Sequence, residues 1–212
     1  MEFVPSRDNE IDNWKEVILV YTSALKQIET KLEILNDEFQ HVHQYNPIEH
    51  IKSRVKTSES IVKKLRKGGY EATIENMVKH VNDIAGIRII CSFTSDIYQI
   101  AKMIANQQDV TLVSVKDYIK NPKKSGYKSF HMIVTLPVYL SDRIVDVKVE
   151  IQIRTVAMDF WASLEHKINY KYEGDVPDKL KKELVECAGM VSDLDARMLA
   201  INEELQNDRN AR

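Results

Sequence analysis

Residues 145–154 read VDVKVEIQIR and alternate without interruption. Val145, Val147, Val149, Ile151 and Ile153 point one way, and Asp146, Lys148, Glu150, Gln152 and Arg154 the other. Ten residues of period two specify a β-strand with one apolar and one polar face. The polar face carries both signs of charge and an amide. It reads as the floor of a site once the rest of the chain is considered, because a second carboxylate, Asp83, and clusters of basic residues accompany it.

Around this strand, apolar residues from Trp14 through Ile18, Tyr21, Leu25, Ile28 and Leu32 to Leu35 recur at steps of four and three. That is one helical seam, ending before Asn46-Pro47 because proline disfavours helix in the residue before it. A second seam with the same steps runs from Leu184 to Leu205, on a helix starting near Pro177. The two seams pack within one subunit or make an oligomer. Residues 1–10 read as a loose lead-in.

Between the seams, residues 47–67 read as a basic helix closed by Gly68-Gly69, and residues 73–80 as a short helix. Residues 86–93, 110–115, 129–138 and 145–154 read as strands, the last two as a hairpin. Residues 96–108 form a helix, and Thr155 caps another that runs to Tyr172. The expected fold is α/β (α+β): a mixed sheet of about five strands with helices packed on it. The expected division of a single domain, 1–212, is an N-terminal helix at 11–45, a catalytic core at 47–172 and a C-terminal helix at 177–209.

Composition narrows the function. With 43% hydrophobic and 29% charged residues and a net charge of −2, the chain is neither disordered nor a general nucleic-acid coat. No run approaches the roughly 18 apolar residues of a membrane span. Two cysteines, of which Cys91 lies in an apolar run, give no disulfide framework, so a cytoplasmic protein is expected.

Charge is concentrated locally. Lys52, Arg54, Lys56, Lys63, Lys64, Arg66 and Lys67 face a single acid, Glu59, in that stretch. A polyanion suits them. Arg88, inside an apolar strand, needs a partner. The loop from Lys120 to His131 adds Lys123, Lys124 and Lys128, with Tyr127 beside Gly126 as a flat face for a base. Asp83 and Glu150 can meet if their strands are neighbours, and two carboxylates with phosphate oxygens suit Mg²⁺. No Walker-type phosphate loop, dinucleotide fingerprint or nucleophile elbow is present.

Four ordered motifs resemble one family. HVNDIAGIR at 80–88, SGYKSFH at 125–131, EIQIRT at 150–155 and DFWASLEHK at 159–167 are similar to the synthetase domain of the RelA/SpoT alarmone enzymes. The chain looks like their single-domain branch, the small alarmone synthetases, over roughly residues 15–205. The resemblance implies a nucleotidyltransferase-like fold and a pyrophosphokinase. Such an enzyme moves the β,γ-pyrophosphate of ATP to the 3′-hydroxyl of GDP or GTP, giving ppGpp or pppGpp and AMP. By this likeness Asp83 and Glu150 hold Mg²⁺, and Glu150 takes the 3′-hydroxyl proton. Arg54, Lys56, Lys64 and Arg88 bind ATP; Lys123, Tyr127, His131, Gln152 and Arg154 bind the guanosine nucleotide. The family's homotetramers would suit the two seams. Ser125 stands where many relatives carry asparagine. The stretch before residue 47 is too short for the hydrolase half of the long members, so no hydrolase activity is expected. A translation-associated RNA-binding module, or another ATP-dependent nucleotidyltransferase, is the alternative.

Overall fold

The alternating stretch forms the middle strand of a five-stranded sheet. The computed structural model describes residues 10–43, 45–171 and 176–210. Along the chain it places α1 (Glu10–His41), β1 (Ile48–Val55), α2 (Ser58–Lys67), α3 (Ile74–His80), β2 (Ala85–Cys91) and α4 (Thr94–Ala105). These are followed by β3 (Thr111–Asp117), β4 (Phe130–Tyr139), β5 (Ile144–Thr155), α5 (Val156–Lys171) and α6 (Asp178–Asn210). Strand order is β1-β2-β5-β4-β3. Only β2 and β5 run parallel; the other neighbours are antiparallel, including the β4–β5 hairpin. The lead-in at residues 1–9 and the expected helix end at Tyr172 lie outside the described residues. Among those described, no helix is long and apolar enough to cross a membrane.

One face of the sheet holds the core. Val145, Val147, Val149, Ile151 and Ile153 are all buried there, with Ile87, Ile89 and Cys91 of β2 and Met132, Val134 and Leu136 of β4. The N-terminal seam covers this face: Tyr21, Leu25, Ile28 and Leu32 of α1 are buried in the same cluster, beside Ile97, Ile100 and Ile104 of α4. Asp96 does not open α4; it accepts the Phe93 N–H at 3.0 Å from the first turn.

Residues 47–67 are not one helix. The first part is the edge strand β1, and only α2 is helical, capped by Thr57, which accepts the Ser60 N–H. A register shift between Ile48 and His50 spaces Ile48, Ile51 and Val55 by three and four. The extra residue of a bulge thus imitates helical periodicity. Lys56 therefore precedes the helix that carries Lys63 and Lys67.

The two seams also differ in fate. α6 packs on α5 and touches α4. On its other side Leu194, Met198, Ile201 and Leu205 are 51–58% exposed.

Candidate active site

On the face opposite the core, register brings the polar residues into rows. Lys52, Arg88, Gln152 and His131 sit side by side on β1, β2, β5 and β4. Arg54, Gly86, Glu150 and Ile133 form the next row. Residues two apart share a face, so both rows open to the same side. Gly86, between Arg54 and Glu150, contributes no side chain and leaves the floor free. A cleft of about 270 Å³ lies here, lined by Arg54, Arg88 and Gln152. A second cleft of about 240 Å³ is lined by Lys64, Tyr118, Lys123 and His131. Asp83 and Glu150 line both.

Asp83 lies in the turn between α3 and β2. Lys56 Nζ donates to its Oδ2 and Lys64 Nζ to its Oδ1, each at 2.7 Å. Burial pushes the Asp83 pKa up, but the two ammonium groups outweigh it and hold the carboxyl below its ordinary range. Glu150 has the same balance. Burial raises it, and the contacts with His131 (Nδ1 at 3.5 Å) and Gln152 (Nε2 at 2.9 Å) more than offset that. Asp83 and Glu150 line the same two clefts, and the charge of Asp83 acts on Glu150 in the raising direction. Both stay ionised near neutral pH.

The second cleft has an aromatic wall. Tyr127 hydroxyl pairs with His131 Nε2 at 2.9 Å and accepts from Arg154 Nη2 at 2.6 Å. Tyr118 meets the ring of Tyr127 at 6.1 Å and that of His131 at 5.2 Å, both edge-on. Lys123 Nζ lies 4.8 Å and 4.6 Å from the Tyr118 and Tyr127 ring centres, within cation–π range. A turn fixes this loop: the Gly126 N–H donates to Lys123 carbonyl at 2.8 Å, and the Lys123 N–H to Tyr127 carbonyl at 3.1 Å.

Arg88 has its partner. Its Nη1 donates to Asp159 Oδ1 at 3.2 Å, and Arg154 Nη1 donates to the same oxygen at 3.0 Å. Burial, then the neighbouring Arg154 charge, lowers the Arg88 pKa, and Asp159 opposes them. Arg88 Nε is buried without a hydrogen-bond partner beside the first cleft. Arg154 is only 4% exposed, also donating to Ser129 Oγ and Gln152 Oε1. It lines neither cleft; it reaches the first through Gln152 and the second through Tyr127 and His131.

The expected site residues thus converge on one face. Arg54, Arg88 and Gln152 gather at the first cleft; Lys64, Lys123 and His131 at the second; Tyr127 is bonded to His131 of the second cleft, and Lys56 to Asp83. Sequence reasoning missed Asp159 and Tyr118. Asp159 stood in a recognised motif, but nothing in its neighbours identified two arginines as its partners. Tyr118 lay between the strand expected at 110–115 and the lysine-rich loop, in no motif of its own.

Residues 53–175 match the model described as the region found in RelA / SpoT proteins. The chain belongs to the RelA/SpoT family, among its small alarmone synthetases. It is 52% identical over 195 residues to GTP pyrophosphokinase YwaC of Bacillus subtilis, covering 92% of this chain and 93% of that one. The crystal structure of small alarmone synthetase 2 from Bacillus subtilis is similar with a TM-score of 0.82 at 50% identity, over 91% of this chain and 99% of the other. Small alarmone synthetase 1 of the same organism, bound to its product pppGpp, matches with a TM-score of 0.84 at 37% identity, over 91% and 98%. The mixed five-stranded sheet is therefore that of the RelA/SpoT synthetases.

Proposed function

We propose that this single synthetase domain transfers the β,γ-pyrophosphate of ATP to the 3′-hydroxyl of GDP or GTP. The observation that carries the proposal is the pair of clefts sharing Asp83 and Glu150. Two substrates seated on either side of one carboxylate pair can react without a covalent enzyme intermediate. YwaC and YjbM of Bacillus subtilis are named GTP pyrophosphokinases, which supports the reading.

ATP takes the first cleft. Arg54 and Arg88 supply guanidinium planes for the adenine. Lys56 and, from the second-cleft side of the junction, Lys64, both on Asp83, are placed to exchange that partner for phosphate oxygens of ATP. The guanosine nucleotide takes the second cleft, with its base on Tyr127 and Lys123 and His131 beside its phosphates. Gln152 steadies Glu150, and Arg154 holds the Tyr127 hydroxyl. Glu150 accepts the proton of the 3′-hydroxyl as that oxygen bonds to the β-phosphorus. The bond from the β-phosphorus to the oxygen it shares with the α-phosphorus breaks, and AMP leaves.

Mg²⁺ fits the donor set. Asp83 and Glu150 are both ionised and both line the junction. No group of three or more metal-binding side chains occurs among the described residues, so phosphates would complete the shell. Bound there, the ion would offset phosphate charge.

The active form is a homo-oligomer, a tetramer by likeness to the family. The exposed stripe of α6, with Phe160 of α5 at 60% exposure, is the surface a second copy would cover. The expected location is the cytoplasm. Against an RNA-binding role, Lys56 and Lys64 of the basic stretch are drawn onto Asp83 at the junction of the two clefts.

Incubation with ATP, Mg²⁺ and each nucleotide in turn tests the activity. AMP together with a 3′-pyrophosphorylated guanosine nucleotide is the expected outcome. Release of free pyrophosphate would mean nucleotidyl transfer instead.

A further inference from the structure

The loop that carries Lys123 and Tyr127 rests on the C-terminal helix. Gly126 has φ +85°, and a Cβ placed on it would stand 2.5 Å from Ala188 Cβ. Loop backbone and α6 are thus as close as a glycine permits. Two residues on, Lys128 Nζ donates to Ser192 Oγ. Tyr127 itself packs against the small cluster of Trp161, Ala162 and Ala188. Trp161 Nε1 donates to Leu184 carbonyl at 3.0 Å, tying α5 to the same stretch of α6.

A further contact anchors α6. Asp195, 9% exposed, accepts from Thr155 Oγ1 at 2.8 Å. The same Thr155 oxygen accepts the Met158 N–H at 3.1 Å and caps α5. Ala188, Ser192 and Asp195 are spaced by four and three, so they form one stripe of the helix turned toward the loop. No residue lining either cleft belongs to α6, but only the second cleft takes a side chain, Lys123, from the loop that α6 supports.

We propose that Ala188 and Ser192 are positioning residues for the acceptor: α6 fixes the height and tilt of the loop at Gly126 and Lys128, and so sets affinity for the guanosine nucleotide but not for ATP. This rests on the reading of the second cleft as the guanosine side. Ala188 touches no substrate; it acts through the backbone at Gly126. The packing also explains why a glycine is required there on two independent grounds, its positive φ and the helix against it.

The test is a rescue pair. Gly126→Ala should raise KM for GDP about tenfold and leave KM for ATP within about twofold. Adding Ala188→Gly to it removes the obstructing methyl and should recover about threefold or more of that loss, the residue being strain at positive φ. Calorimetric titration with GDP alone should follow the same order. Equal rises in both KM values, an unchanged GDP KM, or no recovery in the double variant would overturn the proposal. Should Gly126→Ala fail to fold, Ser192→Ala decides: GDP binding weakened about threefold supports it, and unchanged binding overturns it. A wild-type chain that neither binds GDP nor makes a guanosine product removes the proposed function and this proposal together.

Discussion

Arg154 and Asp159 are joined in the interior, Nη1 to Oδ1 at 3.0 Å, with side-chain exposures of 5% and 15%. The same oxygen also takes Arg88, so one carboxylate holds an arginine from each side of the site. Asp159→Ala leaves a buried guanidinium without its counter-charge. It should lower unfolding free energy by about 3 kcal/mol. Asp159→Asn keeps an acceptor oxygen and should cost less. Urea titration of the two variants checks both values.

Replacing either shared carboxylate should separate chemistry from folding. Glu150→Gln removes the proton acceptor, and turnover should fall by about 10²–10⁴-fold. Asp83→Asn should fall comparably. Circular dichroism should find both folded. Retained turnover in both would refute their assignment.

Tyr127→Ala should act on one substrate. Loss of a stacking face costs about 1–3 kcal/mol per base. KM for the guanosine nucleotide should therefore rise about 5- to 150-fold, with KM for ATP little changed. Steady-state kinetics with each substrate varied in turn measures this, and an equal rise in both would move the tyrosine out of the acceptor site.

Stability should depend on acid through Asp83. Its folded pKa lies below the ordinary value of 3.8, chiefly against burial and by virtue of Lys56 and Lys64. A depressed carboxyl contributes stability that is present above its unfolded pKa and lost as pH falls through its folded pKa. Wild type should thus be more stable than Asp83→Asn near neutral pH. The difference should shrink once pH falls below about 4. Thermal unfolding across pH 3–7 would reveal a constant difference if the lysine contacts contribute nothing.

The exposed stripe of α6 predicts association. Met198→Glu with Ile201→Glu places charge where apolar side chains are half exposed. Sedimentation should give a smaller assembly than wild type, with helix content unchanged. A wild-type chain that is monomeric at micromolar concentration would remove the oligomer from the account.

Legibility varied with how directly periodicity encodes burial. β5 was readable because ten residues alternate without a fault. β1 was not, because one bulge at Ile48–His50 converts period two into a three–four spacing. The seams of α1 and α6 look alike in sequence. Tyr21 is buried on the sheet and Leu194 faces outward, since spacing specifies an apolar face and not what covers it. Of the site, the need of Arg88 for a partner was legible. That the partner is Asp159, distant in sequence and shared with Arg154, depends on where α5 meets β2 and β5.

The destination of the β-phosphorus of ATP tests the central claim most directly. With ATP labelled at that atom, GDP and Mg²⁺, the label should appear wholly in a guanosine nucleotide bearing a 3′-pyrophosphate, with unlabelled AMP beside it. Label in ADP or in free pyrophosphate would contradict pyrophosphoryl transfer across the shared Asp83–Glu150 junction.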